Sequence, residues 1–453
     1  MKYESQKVAY PYFVMATLLF GLQVVFGLLL GVKYVWPDPL IDILPFNTVR
    51  AIHTNLLVVW LLMGFMGGAY YIVPEESQTE IWSTKLAKFQ FWLLSLTGVA
   101  AVAGFIFGKY GPWWNEGRPL LEAPRWADYL IVVAALTFLF NIFMTMMKTK
   151  RWTATQGVLL GGLVMLSVMY LFGMYFFKNL TLDYYYWWWV VHLWVEGAWE
   201  LIAGSIMAFL MMKMTGVDRE VVEKYLYIEV GLVLFTGIIG TGHHYYWIGT
   251  PNYWLWWGGI FSALEPLPIL FMVIDSVRMA KKRKVEITNK VAYYWALGSV
   301  VLHFVGAGVW GLAHTLPYVN RWTHGTQITV SHGHLAFFGA YVMLNLTMFY
   351  YALPAFRGVT YFEDKKSIWA FWFMTVAMSF MTLSFGAAGL IQTYFQRILG
   401  MDYLVAQTFM RRWMWLTVIF GCFFVGGVFF YIYDFFTAGK QKAAAGAAEA
   451  VKA

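Results

Sequence analysis

Three residues carry the first hint of chemistry: His192, Glu196 and Glu200, four apart within Trp187-Trp-Trp-Val-Val-His192-Leu-Trp-Val-Glu196-Gly-Ala-Trp-Glu200. In a helix they stack on one face. The apolar segment around them, 187–213, is about the length that spans a bilayer. An imidazole and two carboxylates are costly in hydrocarbon, and groups kept there usually bind an ion or carry protons. A polar stripe that only packs helices together explains one such residue more easily than three.

Five further histidines join this set: His53, His243, His244, His332 and His334. His332 and His334 are two apart, about 200° around a helix, so they face opposite sides and can serve two cofactors but not one metal. His243 and His244 are about 100° apart and converge on one ion only if the helix is irregular there. Thr241-Gly242 before them and Gly249-Thr250-Pro251 after them favour such irregularity. Neutral imidazole suits iron, copper and zinc alike.

The chain that must position these groups has 453 residues, 60% of them hydrophobic and 12% charged, well outside the range of soluble domains. Apolar stretches of spanning length lie near 13–33, 49–73, 89–109, 128–147, 155–177, 187–213, 223–248, 254–278, 291–311, 328–351, 367–391 and 412–437. The expected fold is an all-α polytopic membrane protein, a twelve-helix bundle forming one membrane domain (1–438), with a disordered Ala-rich tail (439–453). The start, Met1 to Tyr10, has no cleavage-site pattern, so no removable signal peptide is expected. Of 32 Lys and Arg, 22 fall in the termini and the alternate loops on their side, which places both termini in the cytoplasm. With that orientation, the six histidines lie in one layer, roughly 6–10 Å below the outer surface by helical rise. Six imidazoles at one depth on four spans are hard to satisfy without metal. The single cysteine, Cys422, excludes an internal disulfide and is expected to be a small buried hydrophobe. No Cys-x-x-Cys-His occurs, so haem is not attached covalently.

These motifs resemble the catalytic subunit of the haem–copper oxidase superfamily. Within it, the sequence is similar to the large subunit of cytochrome c-dependent nitric oxide reductases. The resemblance rests on His53-Thr-Asn-Leu-Leu, His192-Leu-Trp-Val-Glu196-Gly-Ala-Trp-Glu200, Gly240-Thr-Gly-His243-His244-Tyr-Tyr-Trp, Ser262-Ala-Leu-Glu265-Pro-Leu-Pro and His332-Gly-His334. It implies a low-spin haem b on His53 and His334, and a high-spin haem b on His332. A non-haem iron would bind His192, His243, His244 and Glu196. The implied reaction joins two NO with two electrons and two protons to give N2O and water. The oxygen-reducing relatives carry a histidine-linked tyrosine, either at the position of Glu196 or, in the C-type, at that of Gly237. Neither tyrosine is present, and a hard carboxylate ligand favours iron over copper. Tyr245 and Tyr246 occupy neither position and read as interfacial aromatics.

Glu200 and Glu265 are expected to carry protons, because apolar surroundings favour the neutral acid. Glu265 is expected mid-helix, with Pro266 and Pro268 loosening the backbone. Arg50, near the outer face, is expected to pair with haem propionates. The resemblance also implies a calcium ion at the propionates. The loop reads Asn115-Glu116-Gly-Arg-Pro119-Leu-Leu-Glu122, with Pro119 where the family has an acid, so either Glu122 or Glu116 would substitute or the ion would be held by the propionates and the partner alone. His314, Arg321 and His324 fall in the external loop before the tenth span, and His303, in the ninth, reads as structural. Electrons would arrive through a small membrane-anchored cytochrome c subunit fed by a soluble periplasmic donor. The quinol-dependent relatives instead carry a fused N-terminal extension that the short start Met1 to Phe13 lacks. NO and lipid are the other expected partners, nucleic acid is not one, and the expected location is a bacterial inner membrane. The competing readings are a C-type oxygen reductase, told apart by copper, and a non-catalytic transporter, told apart by the absence of haem absorption.

Overall fold

The computed structural model describes residues 1–108, 118, 120–360 and 365–440, so Glu116, Pro119 and the tail beyond 440 lie outside the described residues. Among the described residues, twelve helices are long and apolar enough to cross a membrane. In order they are Glu4–Val35, Phe46–Ser77, Thr84–Ile106, Arg125–Met146, Ala154–Gly173, Leu180–Thr215, Arg219–His244, Asn252–Arg283, Lys290–Thr315, Gln327–Arg357, Lys365–Ile398 and Tyr403–Thr437. Each coincides with an expected stretch, most running a turn beyond it because polar end residues continue the helix outside the apolar window.

The second, sixth and tenth spans are the inner ones, with 78%, 83% and 78% of their apolar windows buried against at most 56% elsewhere. These are the helices that carry His53, His192, and His332 with His334. One cluster of buried side chains draws on all twelve spans. Its density is set by glycines at helix crossings. A Cβ on Gly339 of the tenth span would lie 2.3 Å from the backbone nitrogen of His303 in the ninth, so only glycine permits that approach.

Several spans are not regular. Wider π-helical turns interrupt the sixth at Leu193–Ala198, the ninth at Phe304–Trp310, the tenth at Phe338–Val342 and the eleventh at Thr393–Ile398. Such turns shift side chains around the axis and cluster at functional sites. The seventh span tightens into a 3-10 turn at Gly240–His244 and stops there, earlier than the apolar pattern suggested. The irregularity expected from Thr241-Gly242 is therefore present. The eighth span breaks between Asn252–Ser262 and Pro266–Arg283, which puts Glu265 at a helix break and not mid-helix. Pro266 opens the second half, where its missing N–H costs nothing. Cys422 is exposed on the last span, not buried, so the thiol belongs to the outward face of that helix.

Candidate metal centre

The π turn after His192 carries Glu196 toward the end of the seventh span, and the 3-10 turn there swings His243 and His244 to meet it. Ligand atoms of His192, Glu196, His243 and His244 all lie within 4.8 Å of one another. Donors about 2.0–2.2 Å from one ion stand roughly 3–4 Å apart, so the cluster has the dimensions of a metal site. Glu196 Oε1 lies 3.0 Å from His244 Nε2 and 3.3 Å from His243 Nε2, and these two nitrogens are 2.9 Å apart. His192 Nδ1, 3.3 Å from Glu196 Oε2, has no hydrogen-bond partner although it is buried. A shared cation satisfies these converging lone pairs; hydrogen bonds among them cannot satisfy all.

The rings are held as metal-binding imidazoles usually are, with the other nitrogen donating to a fixed acceptor. His192 Nε2 lies 3.2 Å from the Thr236 carbonyl, and His243 Nδ1 lies 3.4 Å from that of Gly258. Nδ1 of His332 meets the Gly306 carbonyl at 3.0 Å, that of His53 the Gln23 carbonyl at 3.0 Å, and that of His334 the Val330 carbonyl at 2.9 Å. In His332 and His334 this leaves Nε2 free to ligate, while His53 Nε2 lies 3.4 Å from the Gln23 side-chain amide. His244 is positioned differently, its ring parallel to Trp188 at 5.3 Å. His53 and His334 form a facing pair across the second and tenth spans, while His332 lines the cavity beside the cluster. The two-sided reading of His332 and His334 therefore matches their placement.

That cavity also holds the acids Glu196, Glu200 and Glu265. The Ser262 hydroxyl donates to Glu196 Oε2 at 2.7 Å and lies 3.4 Å from Glu265 Oε2. Thr236, whose carbonyl faces His192, donates its hydroxyl to Glu265. Glu200 Oε1 lies 3.0 Å from His303 Nε2 and 3.4 Å from the Tyr341 hydroxyl. His303 thus lines the cavity, against the expectation of a purely structural residue. Its burial in a span pointed to this, and Tyr341 and Thr236 were also missed because hydroxyls in apolar helices are ordinary.

Arg50 and Glu122, expected at propionates and at calcium, bind each other: Nη2 to Oε1 is 2.5 Å. Asn55 donates to the other Glu122 oxygen at 2.9 Å. His314, at the end of the ninth span and not in a free loop, bridges Thr323 and Thr329 at 3.1 Å each. His324 and Arg321 stay on the surface, near Trp247 and Trp322 respectively. Tyr245 and Tyr246 are buried, packed on Tyr185 and bonded to the Thr315 carbonyl respectively.

Residues 7–423 match the family described as cytochrome c and quinol oxidase polypeptide I. A nitric oxide reductase subunit from Stutzerimonas stutzeri is 48% identical over 97% of this chain and 96% of its own length. The Cbb3-type cytochrome c oxidase subunit CcoN1 of the same organism is 23% identical, covering 90% of this chain and 89% of its own. Cytochrome c oxidase subunit 1 of Rhodobacter capsulatus is 21% identical over 77% and 68% of the two chains.

Proposed function

The chain belongs to the cytochrome c and quinol oxidase polypeptide I family, and from that premise we propose that it is the catalytic subunit of a respiratory nitric oxide reductase. It converts two NO, two electrons and two protons to N2O and water. The observation that carries this reading is a carboxylate, Glu196, inside a cluster of three histidines beside His332. That donor set suits iron better than copper. At Gly237, where C-type oxygen reductases have their tyrosine, a Cβ would sit 2.5 Å from Leu193 Cδ2, so that space belongs to leucine.

The residues fit the implied groups. His53 and His334 would hold a low-spin haem b, His332 a high-spin haem b, and His192, His243, His244 and Glu196 a non-haem iron. When bound, the haem and iron pair supplies two adjacent sites for NO and the electrons to reduce it. Everything else falls to the protein. Anchored imidazoles keep the ligand nitrogens aimed, and Ser262 orients Glu196. Thr236 holds Glu265 at its Oε1, and Glu200, beside His303 and Tyr341, holds a proton at the cavity wall. A buried carboxyl at the cavity wall is suited to deliver that proton. Arg50 keeps guanidinium donors beyond its bond to Glu122 for a propionate. For calcium, Glu122 would be the described ligand: its two oxygens accept from Arg50 and Asn55, and a carboxylate oxygen carries more than one lone pair.

The chain is a multi-pass bacterial membrane protein, and this reading includes a second polypeptide as partner. That partner is a membrane-anchored cytochrome c, docking on the outer face and fed by a soluble donor. Both termini then lie in the cytoplasm and residues 1–438 form one membrane domain. The test is anaerobic NO consumption with N2O detection on the purified two-subunit complex, alongside iron and copper analysis. Stoichiometric N2O with copper-free protein is expected; about one copper per chain with oxygen reduction and no N2O would sink the proposal.

A further inference from the structure

Among the buried acids outside the cavity, Glu229 stands apart. Glu229, in the middle of the seventh span, is 1% exposed, and neither of its carboxyl oxygens has a hydrogen-bond partner. It packs against the sixth span one turn past Glu200: a Cβ on Gly204 would lie 3.8 Å from Glu229 Cγ. It is within electrostatic range of Glu200, and Glu265 feels both. Glu200 Oε2 also lacks a partner, so three of the four oxygens of this pair go unbonded. Unpaired buried charge costs several kcal/mol per group, and while Glu200 has His303 beside it, Glu229 has no partner for a charge. The pair therefore keeps at least one proton between them. Glu229 lies about 21 Å along its helix from His243, against about 12 Å from His192 to Glu200, so it is the member further from the metal cluster.

We propose that Glu229 is a proton reservoir for Glu200, placed one helical turn behind it. When Glu200 releases its proton to the cavity, rotation of the two unbonded side chains brings the carboxyls into contact, the Glu229 O–H breaks and an O–H forms on the Glu200 carboxylate; the reverse transfer refills Glu229 once Glu200 is reprotonated. No electron moves in this exchange. The idea rests on the proton-carrying role given to Glu200 above. It explains why an acid with no bonding partner sits where a leucine would pack.

The test uses the two-subunit complex with Glu229→Gln and Glu229→Asp. Haem spectra and iron content should match the unaltered complex in both. Proton uptake on mixing reduced protein with NO should slow at least about 10-fold in the Gln variant and recover in part with Asp. Infrared difference spectra on reduction should lose a protonated-carboxyl band in the Gln variant. Unaltered uptake, or a band that persists, would overturn the proposal. Should the Gln variant fail to assemble, the Asp variant decides, since an unshifted band with unaltered uptake overturns it equally. If the unaltered complex consumes no NO, the reductase reading fails, while the infrared comparison needs only reduction and still judges Glu229.

Discussion

His53 of the second span and His334 of the tenth face each other with ring centroids 6.3 Å apart and planes 19° from parallel. Two imidazoles clasping one iron at about 2 Å each have centroids about 6 Å apart. His53→Ala or His334→Ala should therefore remove one of two haems and the bis-histidine low-spin signature, leaving NO binding to the other haem. Electron transfer to the remaining haem should fall by more than the roughly 10–100-fold typical of losing an outer partner. Both haems surviving either change would disprove the pairing.

Glu196 and its support are separable. Glu196→Ala should strip the non-haem iron while both haems remain. Ser262→Ala, which removes only the hydroxyl donating to Glu196 at 2.7 Å, should weaken metal affinity roughly 10–100-fold. Chelator titration of the two variants measures the difference.

Gly258 should tolerate no side chain. A Cβ there would fall 2.3 Å from the His243 backbone nitrogen, which cannot yield as a side chain could. Gly258→Val should cost about 1–3 kcal/mol of stability by overpacking and release the non-haem iron by displacing His243. Thermal denaturation and metal analysis of one preparation read both effects.

Glu200→Gln keeps the shape of the side chain and removes its proton. Turnover should drop by roughly 10²–10⁴-fold with haem and iron content intact. Full activity in this variant would remove Glu200 from proton delivery.

Near the N-terminus, Glu80 ties down the start of the first helix, accepting from the amides of Glu4 and Ser5 and from the Ser5 hydroxyl. Its slight burial opposes the carboxylate, but these donors prevail and hold its pKa below the usual range. A lowered carboxylate stabilises above its unfolded value, about 4.3, and the benefit is lost as pH falls through the lower folded one. Protection of the Glu4 and Ser5 amides from hydrogen exchange should accordingly persist near pH 6 and vanish in acid. Glu80→Gln should remove that pH dependence.

Much of the site was legible in residue types and intervals. His332 and His334 had to face apart because a helix turns about 100° per residue, and the structure puts one on the cavity and one opposite His53. The four-residue steps of His192, Glu196 and Glu200 anticipated a shared face, although a π turn, not a straight α-helix, joins them and only the two acids line the cavity. His303 was misjudged for want of a neighbour: its partner Glu200 is about a hundred residues away, and one-dimensional spacing says nothing about such pairs. Glu265 was expected inside a helix because proline tolerance at a first turn and proline disruption mid-helix look alike in a sequence.

Composition alone settled that this chain lives in a bilayer, because hydrocarbon admits only long apolar helices whose backbone is satisfied internally. It also supplied the imidazoles and acids that such an environment makes expensive to keep idle. Which of them meet was decided by tertiary structure. The glycine crossings at 258 and 339, the turns that widen or tighten at 193–198 and 240–244, and the Arg50–Glu122 pair all depend on helices far apart in the chain. Local sequence governs how a helix winds, but close packing between helices determines which of its faces finds a partner.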